Sequence, residues 1–235
     1  AAFLSGITFS LVWLYLTATL SRKKRHDFKS QRANPLGSIY TVSVFPNLRF
    51  ILVVLLLYQF STAVYPAIWS FYTLEQFSWS TAMIGASLTL YGISLVCVQG
   101  GLVKPIISKL GEPGAVKLGF IFAVVVLVSI GLVSNENTLL VLIPFAALGA
   151  VGETALKAIA SQSVEEDSQG VLQWALSSLT AISMIRTPPV MSSIFTQFIQ
   201  PGSVVYLPGA PFILSAILLF CALLIFIRIS SGKRE

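Results

Sequence analysis

The chain has 235 residues, a mean hydropathy of +0.85, 55% hydrophobic residues and only 10% Asp, Glu, Lys and Arg, whereas soluble domains contain about 25% charged residues. This composition excludes an ordinary soluble domain. The net charge of +6 does not indicate nucleic-acid binding, because the basic residues lie at the ends of apolar segments and form no continuous stripe. We therefore expect the chain to lie in the lipid bilayer.

Seven apolar segments are each long enough to cross a bilayer. A helix rises about 1.5 Å per residue, so about twenty apolar residues match a hydrocarbon core near 30 Å. The sequence therefore predicts an all-α fold, a polytopic membrane helix bundle with about seven transmembrane helices. In chain order the segments cover about residues 1–20, 50–72, 81–103, 118–134, 138–160, 171–199 and 209–227.

The basic residues outside these segments all fall on one side of the predicted membrane. Lys and Arg are retained on the cytoplasmic side during insertion, so we expect the chain to start outside an inner or plasma membrane and to end in the cytoplasm. The fifteenth basic residue, Arg186, lies within the sixth segment. The fourteen others are Arg22, Lys23, Lys24, Arg25, Lys29, Arg32, Arg49, Lys104, Lys109, Lys117, Lys157, Arg228, Lys233 and Arg234.

One polar connection, Ser21–Tyr40, divides the chain. We expect a single transmembrane helix over 1–20, a basic cytoplasmic linker over 21–47, and a block of six helices over 48–235. Residue 1 already lies in an apolar segment, and positive charges follow this segment instead of preceding it. No cleavable signal peptide is therefore expected there, and the chain is expected to be part of a longer protein.

Catalytic and metal-binding patterns are not found. Cys97 and Cys221 both fall in apolar segments, and His26 is the single histidine, so neither a disulfide framework nor a metal site is expected. The sequence has no Ser/His/Asp set, phosphate loop or dinucleotide fingerprint. We expect no enzyme activity, no cofactor and no metal.

Glu153 and Lys157 are charged residues near the inner end of the fifth segment. Their i, i+4 spacing places them on one face of a helix, where they can pair. One interpretation is a self-neutralised pair with Lys157 reaching the headgroups. The other is a proton or ion pathway, in which Glu153 faces a central cavity.

Arg186 lies about 15 residues into the sixth segment, which corresponds to a depth of about 22 Å. An arginine facing lipid at that depth is disfavoured, so we expect a cavity, an acidic partner, or backbone carbonyls freed by Pro188-Pro189. Both a substrate or gating role and a structural role remain open. The two prolines predict a kink or local unwinding.

Polar and aromatic residues at helical spacing indicate a further set of candidates. Gln59, Thr62 and Tyr65 follow one face of the second segment, with Trp69 one turn further, and Tyr91 lies in the third segment. Such side chains either line a substrate cavity or bond neighbouring helices. Small residues in the fifth segment predict close helix packing; they are Ala146, Ala147, Gly149, Ala150, Gly152, Ala155 and Ala158.

Several short motifs occur in an order that resembles the major facilitator superfamily, and more closely its drug:proton antiporter group with the tetracycline-efflux proteins. The resemblance covers about residues 30–195. The motifs are Asn34-Pro35-Leu36, Pro66-Ala67-Ile68-Trp69, Phe77-Ser78-Trp79, Ile84-Gly85-Ala86-Ser87-Leu88, Tyr91-Gly92-Ile93, Gln99, Pro105, Lys109-Leu110-Gly111-Glu112, Ala155-Leu156-Lys157-Ala158, Ser161 and Gln169-Gly170-Val171-Leu172-Gln173.

The resemblance implies a twelve-helix transporter made of two six-helix halves, in which this chain supplies helices six to twelve. It implies alternating access around a site near the middle of the membrane. It also implies that Lys109, Gly111 and Glu112 belong to a cytoplasmic gating loop. The chain departs from the tetracycline exporters because Leu118–Ser134 contains no acid, while Glu153 and Arg186 are charged.

These observations predict part of a secondary active transporter that exports a small organic compound or drug in exchange for protons. The expected partners are the lipid bilayer, the substrate, protons, and an N-terminal transporter half or other membrane subunits. The alternative is a transport-inactive, transporter-like subunit of a larger membrane complex, because six or seven helices do not enclose a cavity between two halves.

Overall fold

The structure, a computed structural model, describes residues 2–15, 46–165, 168–203 and 205–231. The chain divides into two compact units, Ala1–Asn34 and Pro35–Glu235. Helix α1, Ala2–Tyr15, is the described part of the first unit, and it covers most of the first predicted segment. Residues 16–20, His26 and nearly all of the predicted linker 21–47 lie outside the described residues.

The second unit consists of helices, and its described residues contain no strand. Its three longest helices have 30, 31 and 22 residues, enough to cross a hydrocarbon core about 30 Å thick. A π-helical turn, Val98–Leu102, joins the helix Thr81–Cys97 to the helix Val103–Leu132. The helices are α2 (Pro46–Thr62), α3 (Val64–Phe77), α4 (Thr81–Cys97), α5 (Val103–Leu132), α6 (Glu136–Ala146), α7 (Gly149–Gln162), α8 (Gln169–Ile199) and α9 (Ala210–Ser231).

Four helical runs within the described residues are long and apolar enough to cross a membrane: Leu48–Phe77, Thr81–Leu132, Glu136–Gln162 and Ala210–Ser230. The second run has 52 residues, and a straight helix of that length would extend about 78 Å. Gly111 interrupts it with φ 68° and ψ 167°, a backbone conformation that glycine adopts without a steric penalty.

The 52-residue run folds back on itself at Gly111. The indole nitrogen of Trp79, just before the run, donates a hydrogen bond to Glu136, just after it, at 3.2 Å. Both ends of the run therefore lie at the same end of the bundle. The run therefore supplies two membrane crossings, in agreement with the separate predicted segments 81–103 and 118–134. The first crossing continues to residue 110, just before the break at Gly111, and the second ends at residue 132.

Hydrogen bonds define the two ends of the bundle. One end, which we call the Glu75 end, contains Trp79, Glu136 and the bond from Tyr206 Oη to Glu75 Oε1 at 2.8 Å. The other, the Glu112 end, contains the bond from Gln162 Nε2 to Glu112 Oε1 at 2.6 Å. The hydrogen bond with Glu75 raises the pKa of Tyr206. The four apolar runs supply five crossings, because the second run crosses twice, and α8 supplies one more. The chain from α2 to α9 therefore passes between the two ends six times.

Two segments that contain helix-breaking residues are largely helical. Lys109 and Glu112 of the predicted gating loop both lie in helices, and the break between them is confined to Gly111. Of the kink or local unwinding predicted at Pro188-Pro189, the unwinding is not seen, since α8 continues through both prolines to Ile199. Helix α8 begins at the Glu112 end, where Gln169 Nε2 donates to the carbonyl of Ser161 at 2.7 Å.

The predicted close packing of the small residues is confirmed. Helix α7 lies against α5, and a Cβ atom on Gly119 would stand 2.7 Å from the Cα of Gly152. A Cβ atom on Gly149 would stand 3.0 Å from the Cβ of Ala123. In lipid, helices associate through close packing of this kind and not through burial of apolar side chains away from water. The close contact also sets the position of Glu153, which follows Gly152.

Candidate substrate cavity

A cavity of about 240 Å³ lies at mid-depth in the six-crossing unit. Its wall is formed by α2, α3, α4, α5, α6, α7 and α8, and none of its lining residues comes from α9. Glu153 is the ionisable carboxylate of this wall. The polar lining residues are Tyr58, Gln59, Thr62, Tyr65, Tyr91, Gln99, Glu153, Thr180 and Ser183.

Glu153 is held from two directions. Gln59 Nε2 on α2 donates to Glu153 Oε1 at 3.2 Å, and Lys157 Nζ, one turn along α7, lies 2.6 Å from the same oxygen. The side chains of Lys157 and Glu153 are 44% and 25% exposed, so the ion pair reaches from the cavity wall to the surface of the bundle. The predicted pairing of these residues is confirmed, and Glu153 also lines the cavity.

Tyrosine side chains form the wall around the carboxylate. Tyr58 donates to the carbonyl oxygen of Gly149 at 3.3 Å and stacks on Phe120 with ring centroids 5.3 Å apart. Tyr65 stacks on Tyr91 at 6.1 Å. The cavity therefore offers flat apolar faces as well as hydroxyl groups, a combination that suits an aromatic compound with polar substituents.

Trp69 does not line the main cavity, in contrast to the sequence-based expectation. Its indole nitrogen donates to Ser87 Oγ at 2.9 Å, and its ring packs against Tyr65, Tyr72 and Phe212 at 6.3 to 6.4 Å. Trp69 borders only a small adjoining cleft of about 30 Å³. It therefore supports the position of Tyr65.

Arg186 also lies outside the cavity. It is exposed on the surface of the described bundle, one turn from the prolines, and it has neither a hydrogen bond nor an ion pair with any described residue. The expected pairing with Glu153 or with carbonyls of α8 is therefore not found in the described part of the chain.

The residues of the predicted gating loop meet at the Glu112 end. Glu112 accepts a hydrogen bond from Gln162, which ties the fold-back at Gly111 to the end of α7. Lys109 is exposed one turn before it. Lys109 and Glu112 lie outside the cavity lining, and of the two only Glu112 has a described contact that ties helices together.

Sequence reasoning missed Tyr58, Gln99, Thr180 and Ser183 as cavity residues. Tyr58 directly precedes Gln59, and Thr180 and Ser183 have the i, i+3 spacing of one helix face. That spacing marks a shared face but does not distinguish a face turned towards a cavity from one packed on another helix.

Known proteins match the chain at low identity but over most of its length. It is 26% identical over 195 residues to the class C tetracycline resistance protein of Escherichia coli, covering 83% of this chain and 49% of that protein. It is 28% identical to the class G protein of Vibrio anguillarum, covering 83% of this chain and 50% of that protein. No family model matches.

The fold also matches a solved structure. The crystal structure of the human organic anion transporter MFSD10 (TETRAN) superposes on 94% of this chain and 54% of that protein, with a TM-score of 0.76 and 20% identity. The resemblance to the major facilitator superfamily is confirmed. At this identity the structural match shows the fold alone, and the chain spans about half the length of the two tetracycline resistance proteins and of the matched structure.

Proposed function

We propose that this chain forms the second half of a membrane transporter that exports a small organic compound in exchange for protons by alternating access. One observation carries the proposal: the carboxylate of Glu153 lies in the wall of a mid-depth cavity between tyrosine rings. The names of the tetracycline-resistance relatives support export of a drug-like compound. The chain spans about half the length of these relatives. The proposed substrate site is therefore completed by the other half of the transporter, and this cavity forms one side of it.

Glu153 is the proposed proton site. As a carboxylate it accepts from both Gln59 and Lys157, and binding a proton removes the charge that attracts the Lys157 ammonium group. The link from α7 to α2 through Gln59 then weakens as well, because hydrogen bonds to charged groups are stronger than those to neutral ones. Protonation would thus change how two helices of the cavity wall hold each other.

The proposed orientation places the Glu112 end in the cytoplasm. The described basic residues near this end include Lys104, Lys109 and Lys117, and positively charged residues remain on the cytoplasmic side. The Glu75 end, with its carboxylates Glu75 and Glu136, then faces outside. Tags inserted at the Glu112 end and at the Glu75 end of the bundle, with their protease accessibility measured in intact cells, test this assignment.

Arg186 is the proposed charge on the surface that meets the other half. It lies 17 residues after Gln169, about 26 Å along a helix about 46 Å long, so its exposed side chain is at mid-membrane depth. A guanidinium group facing lipid there would cost about 2.5–3.5 kcal/mol on insertion scales. We propose that the other half of the transporter covers this surface and that Arg186 acts in gating there.

We predict that Arg186→Leu in the complete transporter lowers transport about thirtyfold or more, because removing one partner of a buried charged contact across an interface costs about 2–5 kcal/mol. The matched control is Arg228→Leu, because Arg228 is also exposed but lies in the last turn of α9, where it reaches headgroups. Initial rates of substrate uptake into membrane vesicles measure both. Equal rates for the two variants would refute the role of Arg186.

Reconstitution of the complete protein in proteoliposomes tests the proposed function. With an imposed pH gradient, we expect accumulation of tetracycline or of another member of a panel of lipophilic drugs, together with proton movement in the opposite direction. The absence of flux for every compound, with the protein folded, would contradict the proposal and favour a transport-inactive subunit of a membrane complex.

A further inference from the structure

Ser183 on α8 is a buried hydroxyl group without a hydrogen-bond partner. It is 1% exposed, and its Oγ is one of three buried side-chain oxygens among the described residues that lack a partner, with those of Thr187 and Ser215. A buried polar group normally has a partner, because leaving it unpaired costs free energy. Ser183 also lines the main cavity, whereas Thr187 and Ser215 do not.

Other hydroxyl groups in these helices bond to their own helix. Ser61 donates to the carbonyl of Leu57 at 2.8 Å, and Ser94 donates to that of Leu90 at 2.7 Å. On α8 itself, Ser177 donates to the carbonyl of Gln173 at 2.9 Å. This internal bond is the usual arrangement for serine inside a helix, so Ser183 departs from the pattern of its own helix at the position where α8 borders the cavity.

The cavity has unused hydrogen-bonding capacity of a particular kind. Glu153 is already bonded to Gln59 and paired with Lys157, so its charge is balanced within the protein. The hydroxyl groups of Tyr65 and Tyr91 have no hydrogen bond among the described residues. The groups left open to a ligand are therefore neutral, the tyrosine hydroxyls and the side-chain amide of Gln99, and they recognise hydroxyl, carbonyl or amide groups.

We propose that Ser183 is a ligand-binding residue, and that its hydroxyl group turns about the Cα–Cβ bond from its enclosed position to bond a neutral oxygen- or nitrogen-containing group of the compound held in the cavity. The ligand class is an aromatic compound with neutral hydrogen-bonding substituents, whose ring lies against the tyrosine faces. Ser183 then sets specificity on the α8 side of the cavity, while the charged pair lies on α7. The inference rests on the proposed transport function.

The test compares Ser183→Ala with Ser215→Ala in the complete transporter. The two serines are matched, because both are buried in a helix and both lack a partner, but only Ser183 borders the cavity. We expect Ser183→Ala to raise the KM for tetracycline about tenfold, the upper range for the loss of one neutral hydrogen bond. Ser215→Ala is expected to stay within about twofold of the unsubstituted protein, and the maximal rate of both variants is expected to change little.

The outcomes separate the two proposals. A raised KM confined to Ser183→Ala supports the inference. If the unsubstituted protein transports tetracycline and both variants share its KM, Ser183 does not bind the ligand and the inference is overturned while the transport function stands. If the folded, unsubstituted protein transports neither tetracycline nor any compound of the drug panel, the proposed function and this inference fall together.

Discussion

Proton-driven transport is expected to be lost when Glu153 is replaced by glutamine, while the helix bundle stays folded. The substituted side chain would still accept a hydrogen bond from Gln59, since an amide oxygen replaces Oε1, but it cannot bind and release a proton. Groups that transfer protons typically contribute a factor of about a hundred or more to a rate. We therefore expect the proton-driven transport rate to fall at least about a hundredfold. Substrate accumulation against a pH gradient in proteoliposomes measures the effect.

Glu136→Gln is the matched control for this prediction. Glu136 also accepts a hydrogen bond from a neutral N–H group, that of Trp79 at 3.2 Å, but it lies at the Glu75 end and outside the cavity. We expect its variant to transport at nearly the normal rate. Substrate exchange without a pH gradient should persist in Glu153→Gln, because exchange requires the cavity but no net proton movement. Normal proton-driven accumulation by Glu153→Gln would show that the proton site lies elsewhere.

Gly119→Ala is expected to destabilise the bundle by about 3 kcal/mol, near the upper range for overpacking. The added Cβ would stand 2.7 Å from the Cα of Gly152, and because the obstacle is backbone, α5 and α7 must move apart. At about 2–4 °C per kcal/mol, the melting temperature should fall by about 10 °C. Thermal unfolding in detergent, followed by circular dichroism, measures this shift.

Gly92→Ala is the control for the packing prediction. Gly92 lies in α4, and a Cβ atom there would have no neighbour within 4 Å, so alanine adds helix propensity without a collision. Its melting temperature should stay the same or rise slightly. Equal melting temperatures for the two variants would contradict the close approach of α5 and α7. Transport by Gly119→Ala should also fall, because Glu153 is next to the displaced Gly152.

The sequence predicted features that depend on composition and on spacing along one helix. The hydrocarbon core requires long apolar segments, so the crossings from α2 to α9 were visible as hydropathy. The Glu153–Lys157 pair followed from its i, i+4 spacing. The small residues of α7 indicated close packing because side-chain volume limits how near two helix axes can approach.

Other features depend on how helices distant in the chain are arranged, and these were wrong or missed. Trp69 has the same helical spacing as Gln59 and Tyr65, but Ser87 on α4 binds its indole group and holds it outside the main cavity. The prolines after Arg186 predicted a kink or local unwinding, and the unwinding is not seen because α8 remains helical through both. Ser183 was not noticed because a serine in an apolar helix is ordinary until its neighbours show that its hydroxyl group has no partner.

By itself, the sequence determined that the protein crosses a membrane many times and resembles the major facilitator transporters, because hydropathy and short motifs are properties of consecutive residues. Only the tertiary structure decided that Glu153 meets Gln59 across 94 positions of the chain, that the helical run folds back at Gly111, and that Arg186 is exposed and lies outside the cavity lining. The physical reason is that periodicity places a residue on a helix face, whereas the packing of neighbouring helices decides what that face contacts.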